Sequence, residues 1–291
     1  MALVIGILAK RSGLCMVKGV TALMAGRPIL LIAILVCGFA FWFVVPFSIY
    51  PVKTINYPQY GANLLFFVGG LLFGLGAGFN QGCSVSTLTR LAQRDIRMLA
   101  TVFGWALGWL LFANISFELS LNYPVTNYTS LAISPLILTS CAITLIVFMI
   151  HPKRLSLLTI LLFGAISTML TQISPHWSPS HYLQAITYTL SNPELSSWPT
   201  LSEHLIIALL LIGMSFGKKH SFIAITKKQF ITHCSAGVLM GIGASLALGG
   251  NDTQVLFALP ALSLGGMLAC FGIIGGIMIA LKLMTLRQQQ K

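Results

Sequence analysis

The residues best equipped for chemistry lie in one stretch, GAGFNQGCSVSTLTRLAQRDIR, Gly76 to Arg97. At its centre Asn80, Gln81, Gly82, Cys83 and Ser84 place two amides, a thiol and a hydroxyl side by side, with apolar runs on either side. A thiol is a weak, polarizable S–H donor. It suits a soft sulfur-containing anion better than phosphate or nitrate, and a nearby helix N-terminus would make it more reactive. No His or Glu accompanies Cys83 in sequence, so a membrane enzyme with Cys83 as nucleophile lacks its base. A second thiol in a polar break is Cys15, in ILAKRSGLCMVKGV (Ile7–Val20). There Lys10 and Arg11 either attract an anion or anchor the chain at the membrane surface. Of the six cysteines, Cys37, Cys141, Cys234 and Cys270 fall in apolar runs or at their edges, where a free cysteine behaves as a small hydrophobe. No Cys-x-x-Cys pair occurs, so neither a zinc site nor a dithiol motif is indicated. No Walker motif or other cofactor signature is present. Transport, with no metal and no cofactor, is the expectation rather than catalysis.

The elements that must position these groups are membrane helices. The chain of 291 residues is 56% hydrophobic and 8% charged, with a mean hydropathy of +0.90. Such a composition predicts an all-α polytopic membrane protein. Apolar runs reading as spans are Ile29–Ile49, Gly61–Phe79, Met98–Glu118, Ser134–Ile150, Leu155–Ile173, His204–Gly217, Thr232–Gly249 and Leu264–Leu281. Shorter helical pieces, Ala2–Ala9, Leu14–Ala25, Ser84–Gln93, Tyr182–Ser191 and Thr253–Leu262, read as re-entrant or interfacial. The net charge of +12 sits in loops beside spans, which argues for membrane orientation and against nucleic acid. Threading the spans puts the basic loops on one side, with Lys53 the exception, and the acidic loops on the other. Both termini are then cytoplasmic. His151, His176, His181, His204, His220 and His233 are expected at interfaces.

Two stretches repeat. Gly70–Cys83 (GLLFGLGAGFNQGC) and Gly237–Gly250 (GVLMGIGASLALGG) match at Gly70, Leu72, Gly74, Gly76, Ala77 and Gly82 with an offset of 167 residues. Gly108 and Gly275 match further on. The charge map gives the two copies opposite orientation, the signature of inverted repeats around a midplane site. We expect a first repeat over 1–150 and a second, inverted one over 151–291, with re-entrant short helices around a central pathway. Irregular backbone at that depth must line a cavity or be buried in protein. Ser84 is expected to cap the helix it begins, and Asn251 or Asp252 the mirrored one. Helix N-termini aimed at the centre favour an anion. With Cys15 and Cys83, the predicted pathway residues are Asn80, Gln81, Gly82, Ser84, Gly249, Gly250 and Asn251.

KRSGLCMVKGV, GLGAGFNQGCSVSTLTRLAQRDIRMLATVFGWALG and GVLMGIGASLALGGN occur in an order that resembles the YeeE/YedE family, the sulfur transport domain, over essentially the whole chain. The resemblance implies a bacterial inner-membrane protein with pseudo-symmetric halves that takes up thiosulfate or related sulfur compounds. It also implies a small cytoplasmic sulfur-carrier protein as partner. By position, Cys15 and Cys83 match two of the cysteines implied to pass thiosulfate along by S–H···S hydrogen bonds. A third family cysteine belongs in a Gly-Gly-Cys-Asn motif. Here the sequence reads GGN, with that cysteine's place falling at Gly250 or one residue absent. The alternatives are a transporter or channel for another small solute, and a membrane anchor for a cytoplasmic sulfurtransferase.

Overall fold

The structure, a computed structural model, describes residues 1–40, 59–116, 125–126, 149, 154–174, 177–191, 193–194, 198–217 and 225–289. Apart from Met149, the expected span Ser134–Ile150 lies outside the described residues, as do most of the second half of Ile29–Ile49, Cys141, His151, His176, His220 and the basic loops at 151–153 and 218–224. Apart from a two-residue antiparallel pairing of Gln59–Tyr60 with Val125–Thr126, the regular structure is helical.

Helix α1 is Ala2–Ser12, α2 Met16–Met24, and α3 Ile29–Val36, which tightens into a 3-10 turn at Cys37–Ala40. Helix α4 is Leu64–Asn80, α5 Ser84–Ala92 and α6 Arg97–Ser116. Then come α7 Arg154–Ile173, α8 Pro179–Ser191 and α9 Leu201–Ser215. Helix α10 is Lys227–Leu246, and α11 is the single turn Asn251–Thr253, which passes into a π-helical stretch, Gln254–Ala258. Helix α12 is Leu264–Gln289. The ends follow from local chemistry. Asn63 accepts from Leu65 N to start α4, and Thr200/Glu203 and Thr226/Gln229 form capping boxes at α9 and α10. Helix α1 stops at Gly13, whose φ of 61° suits a residue without Cβ.

By length and composition, two helical runs among the described residues can cross a membrane: Leu64–Ala92, which continues past the break at 81–83, and Leu264–Gln289. A third is added if Lys227–Leu246 and Asn251–Ala258, bent by 43° at their break, form one span. Ile29–Ala40, Arg97–Ala113, Leu157–Thr171 and Leu201–Ser215 are apolar but shorter. Of the eight spans expected, Ser134–Ile150 and Ile29–Ile49 fall wholly or partly outside the residues searched, so this count concerns the described residues alone.

The core is a four-helix contact of α4, α6, α10 and α12. Helices α4 and α10 run antiparallel at backbone distance. A Cβ added at Gly69 would lie 2.7 Å from Gly243 O, and one at Gly76 would lie 2.5 Å from Ala236 O. Small residues permit this approach, and dispersion between backbones replaces the missing side chains. These two contacts exchange under the 167-residue offset, since Gly69 maps to Ala236 and Gly76 to Gly243. The flanking contacts behave likewise. A Cβ at Gly104 would meet Cys234 O and one at Gly272 would meet Phe67 O, while Gly108 would meet Val238 O and Gly276 would meet Leu71 O. Here Gly104 corresponds to Gly272 and Gly108 to Gly276, an offset of 168. The extra residue enters at the π-helical stretch, where Leu259 N reaches back five residues to Gln254 O. Gly108 therefore answers to Gly276, not to Gly275 as the sequence alignment had it. A Cβ at Gly275 would meet only the Leu71 side chain, at 3.8 Å.

Candidate functional site

Two thiols from distant parts of the chain meet at the centre. Cys15 is the N-cap of α2 and Cys83 the N-cap of α5, and both are buried. Each sulfur therefore sits at the electropositive end of a nine-residue helix. The Cys15 thiol donates to Ser86 Oγ at 3.3 Å, and Ser86 Oγ lies 3.1 Å from Cys83 O and 3.6 Å from Cys83 Sγ. Ser86 was not among the sequence-predicted site residues. Its position one turn after Cys83, on the same helix face, was the available signal.

The mirrored break joins the first through side chains. Ser84 is the first residue of α5 and not its cap, contrary to the sequence expectation. Its N–H donates to Asn251 Oδ1 at 3.2 Å and its hydroxyl to the same oxygen at 2.6 Å, with Asp252 Oδ1 at 3.1 Å. Asn251 thus satisfies the N-terminus of α5 rather than its own helix. Asp252 likewise serves another element: its carboxylate accepts from Ser180 N at 3.1 Å and from the Ser180 hydroxyl, at the start of α8. The reason is geometric. When helix N-termini converge, each carries free N–H groups, and the neighbour's acceptor can lie nearer than a helix's own. Ser84 and Asn251 are partners under the 167-residue offset.

Gly250 is the N-cap of α11, with φ −79° and ψ −172°, and Cys83 is the N-cap of α5, with φ −80° and ψ −179°. Gly250 therefore holds the backbone place of Cys83, and no residue is absent. A Cβ there would lie 2.5 Å from Ser180 Oγ and 2.8 Å from Asp252 Oδ1. The space for a side chain is taken by the serine–carboxylate pair.

A cavity of about 30 Å³ lies beside these groups, among its walls Cys15, Cys83, Asn251, Asp252 and the apolar Phe163 and Val255. It has room for about one water, so an anion of several heavy atoms passes only if the walls move. Of the predicted residues, Cys15, Cys83 and Asn251 line it, whereas Gly82, Ser84, Gly249 and Gly250 lie behind it. Gln81 is exposed and caps α4 in the left-handed region. Asn80 is engaged elsewhere. Its Nδ2 donates to Gly82 O at 3.0 Å and to Thr87 Oγ1 at 2.8 Å, while Oδ1 accepts from Thr101 at 2.7 Å and His233 Nδ1 at 2.8 Å. It ties α4, α5, α6 and α10 together beneath the cavity. His233, expected at an interface, is part of that tie.

The charged groups lie at the edge. Lys10 donates to Phe216 O, the C-cap of α9, and Arg11 is exposed, so this pair anchors helix ends and does not line the cavity. Asp95, in the turn between α5 and α6, accepts from Arg90 Nε and Nη2 and from Arg97 Nε and Nη2. Burial works against its charge, yet the hydrogen bonds from Arg97 and Arg90 and their positive charge prevail and hold its pKa at about 2. Among the described residues no group of three His, Cys, Asp or Glu could hold a metal ion.

The arrangement offers thiols and helix ends around a small, mostly apolar cavity. A family model described as sulphur transport matches residues 11–156 and 213–279, most of the chain and both breaks. The chain belongs to the sulphur transport family. No curated protein is a match for it. This sulphur transport protein is thus a sulfur-related membrane transporter, and Cys15 and Cys83 lie in the first matched stretch and Gly249–Asn251 in the second. Ser180, which fills the side-chain space at Gly250, comes from the segment between them.

Proposed function

We propose that the protein imports thiosulfate across the bacterial inner membrane through a central pathway whose narrowest point is Cys15–Ser86–Cys83. The observation that carries this reading is the meeting of two helix-capping thiols through Ser86, 71 residues from Cys15 in sequence. An S–H group donates weakly to a soft sulfur, and two of them in sequence can pass an anion without trapping it. The surrounding helix ends supply partial positive charge without a fixed cation, so the anion is attracted but not held.

The protein is two inverted repeats, 1–150 and 151–291, whose interrupted helices meet at the bilayer midplane. The exchanging contacts of antiparallel α4 and α10 support this, as do Gln81 and Leu248, which occupy equivalent breaks with φ of 55° and 54°. Both termini face the cytoplasm, where a small sulfur-carrier protein receives the substrate on the basic side. The cavity of about 30 Å³ is too narrow for the anion as it stands, and small shifts at the breaks widen it.

The test is growth on thiosulfate as sole sulfur source in a bacterium lacking thiosulfate uptake. Wild type restores growth, and Cys83→Ala, expressed to the same level, lowers initial uptake at least about tenfold, equivalent to about 1.4 kcal/mol. Equal growth of the two would remove Cys83 from the pathway. Wild type that reaches the membrane without restoring growth would remove thiosulfate as substrate.

A further inference from the structure

We propose that Cys37 is a third substrate-contacting thiol of this pathway, supplied by the 3-10 turn after α3 and not by either glycine-rich break. The inference rests on the transport reading above. Cys37 lies in an apolar run, ILLIAILVCGFA, and nothing in its sequence neighbourhood marks it. In the fold it lines the same cavity as Cys15 and Cys83. Three thiols from three separate elements therefore face about 30 Å³ of space whose other walls are mostly apolar.

The placement of Cys37 is tightly built. A Cβ added at Gly38 would collide with Val255 O of the π-helical stretch, and one at Gly164 of α7 would collide with Cys37 O. The turn is wedged between these two elements at backbone contact, which only glycines on both sides allow. Val255 itself lines the cavity, so the same contact that fixes the turn fixes the wall beside the sulfur. The Cys37 thiol donates to Ile34 O at 3.0 Å. Rotation about the Cβ–Sγ bond redirects that hydrogen towards an anion without moving the backbone, and the carbonyl gives it a resting partner when the cavity is empty.

The mirrored break cannot supply such a thiol. Gly250 holds the place equivalent to Cys83, and the position of its side chain is occupied by Ser180 and Asp252. Cys37 does line the cavity. Cys270 provides the comparison: it is also buried, in α12, but does not line the cavity. A cysteine that merely packs as a small hydrophobe would behave as Cys270 does.

The experiment uses the full chain in proteoliposomes with two readouts. In the first, methyl methanethiosulfonate modification is followed at each cysteine by mass spectrometry, with and without excess thiosulfate. Cys15, Cys37 and Cys83 are expected to react as a group and to be protected together, while Cys270 stays unmodified. In the second, initial thiosulfate uptake is measured for Cys37→Val, which keeps an apolar side chain of similar size, and for Cys37→Ser, which keeps a donor of lower polarizability. Both are expected to fall about tenfold or more with unchanged thermal stability. Cys37 reacting at the rate of Cys270, protection of Cys15 and Cys83 without Cys37, or wild-type uptake by Cys37→Val would each overturn the proposal. Wild type without uptake would overturn the transport reading itself, and the grouping of reactive cysteines would still decide whether Cys37 faces the cavity.

Discussion

Ser86 has one hydroxyl hydrogen and three neighbours within its reach: the Cys83 carbonyl, the Cys83 sulfur and the Cys15 thiol. It can donate to one while accepting from Cys15, so it sets which thiol presents its hydrogen to the cavity. Removing it leaves both sulfurs in place but disconnects them. Ser86→Ala is expected to slow thiosulfate uptake roughly fivefold, the effect of about 1 kcal/mol from one neutral hydrogen bond. Substrate preference over sulfate should persist, and measuring uptake of both anions checks it. A loss as complete as that of Cys83→Ala would mean that Ser86 itself contacts the anion. Asp252 shows the complementary case. A carboxylate on an anion pathway is repulsive, and here Ser180 N–H and the Ser84 and Ser180 hydroxyls all point at it, spreading its charge over three donors.

Each break in the helices is an element that satisfies itself through its neighbours. At the C-terminal end of α5 the α5–α6 turn is closed by Asp95 between Arg90 and Arg97, and Arg90 Nη1 also reaches Asn80 O at 3.4 Å. The Asp95 pKa is lowered from 3.8 to about 2, so its carboxylate favours the folded state wherever it is ionised. That contribution is complete above about pH 4 and is lost as pH falls through about 2. Asp95→Asn is therefore expected to lower thermal stability at pH 7 by up to about 1 kcal/mol, the scale of a partly exposed ion-pair network. The difference from wild type should shrink as pH falls through about 2 and vanish well below it. A difference that persists there would show that packing, and not charge, holds the turn. At the other break the π-helical stretch plays the positional role. Its added residue shifts α12 by one place relative to α6 and brings Val255 and Leu256 onto the cavity wall.

At the scale of the molecule, antiparallel packing of α4 against α10 requires the two helix starts to face opposite sides of the membrane. Single substitutions Leu64→Cys and Ile231→Cys place thiols on two exposed positions, one near the start of each helix. A membrane-impermeant maleimide added outside intact cells is expected to label Leu64→Cys, and Ile231→Cys only after the cells are opened. Labelling of both from one side would end the inverted arrangement.

What the sequence determined by itself was local or periodic. Apolar runs and the Gly-x-Gly repeats depend on near neighbours, so α4 and α5 begin and end within three residues of expectation, whereas α10 starts five residues early and α12 runs eight residues further, and Cys83 was recognisable as a thiol at a helix break. The sulfur transport resemblance rested on the same contiguous motifs, and the family match covers them. Tertiary structure alone decided which side chains share a space. Asn251 caps α5 and Asp252 caps α8 because converging helix ends trade acceptors across the centre, and no spacing in the chain records that exchange. Cys37 looked like a packing residue because burial in an apolar run is equally consistent with a core and with a cavity wall. The one-residue shift from Gly275 to Gly276 was hidden as well, since a π turn carries no distinct apolar period.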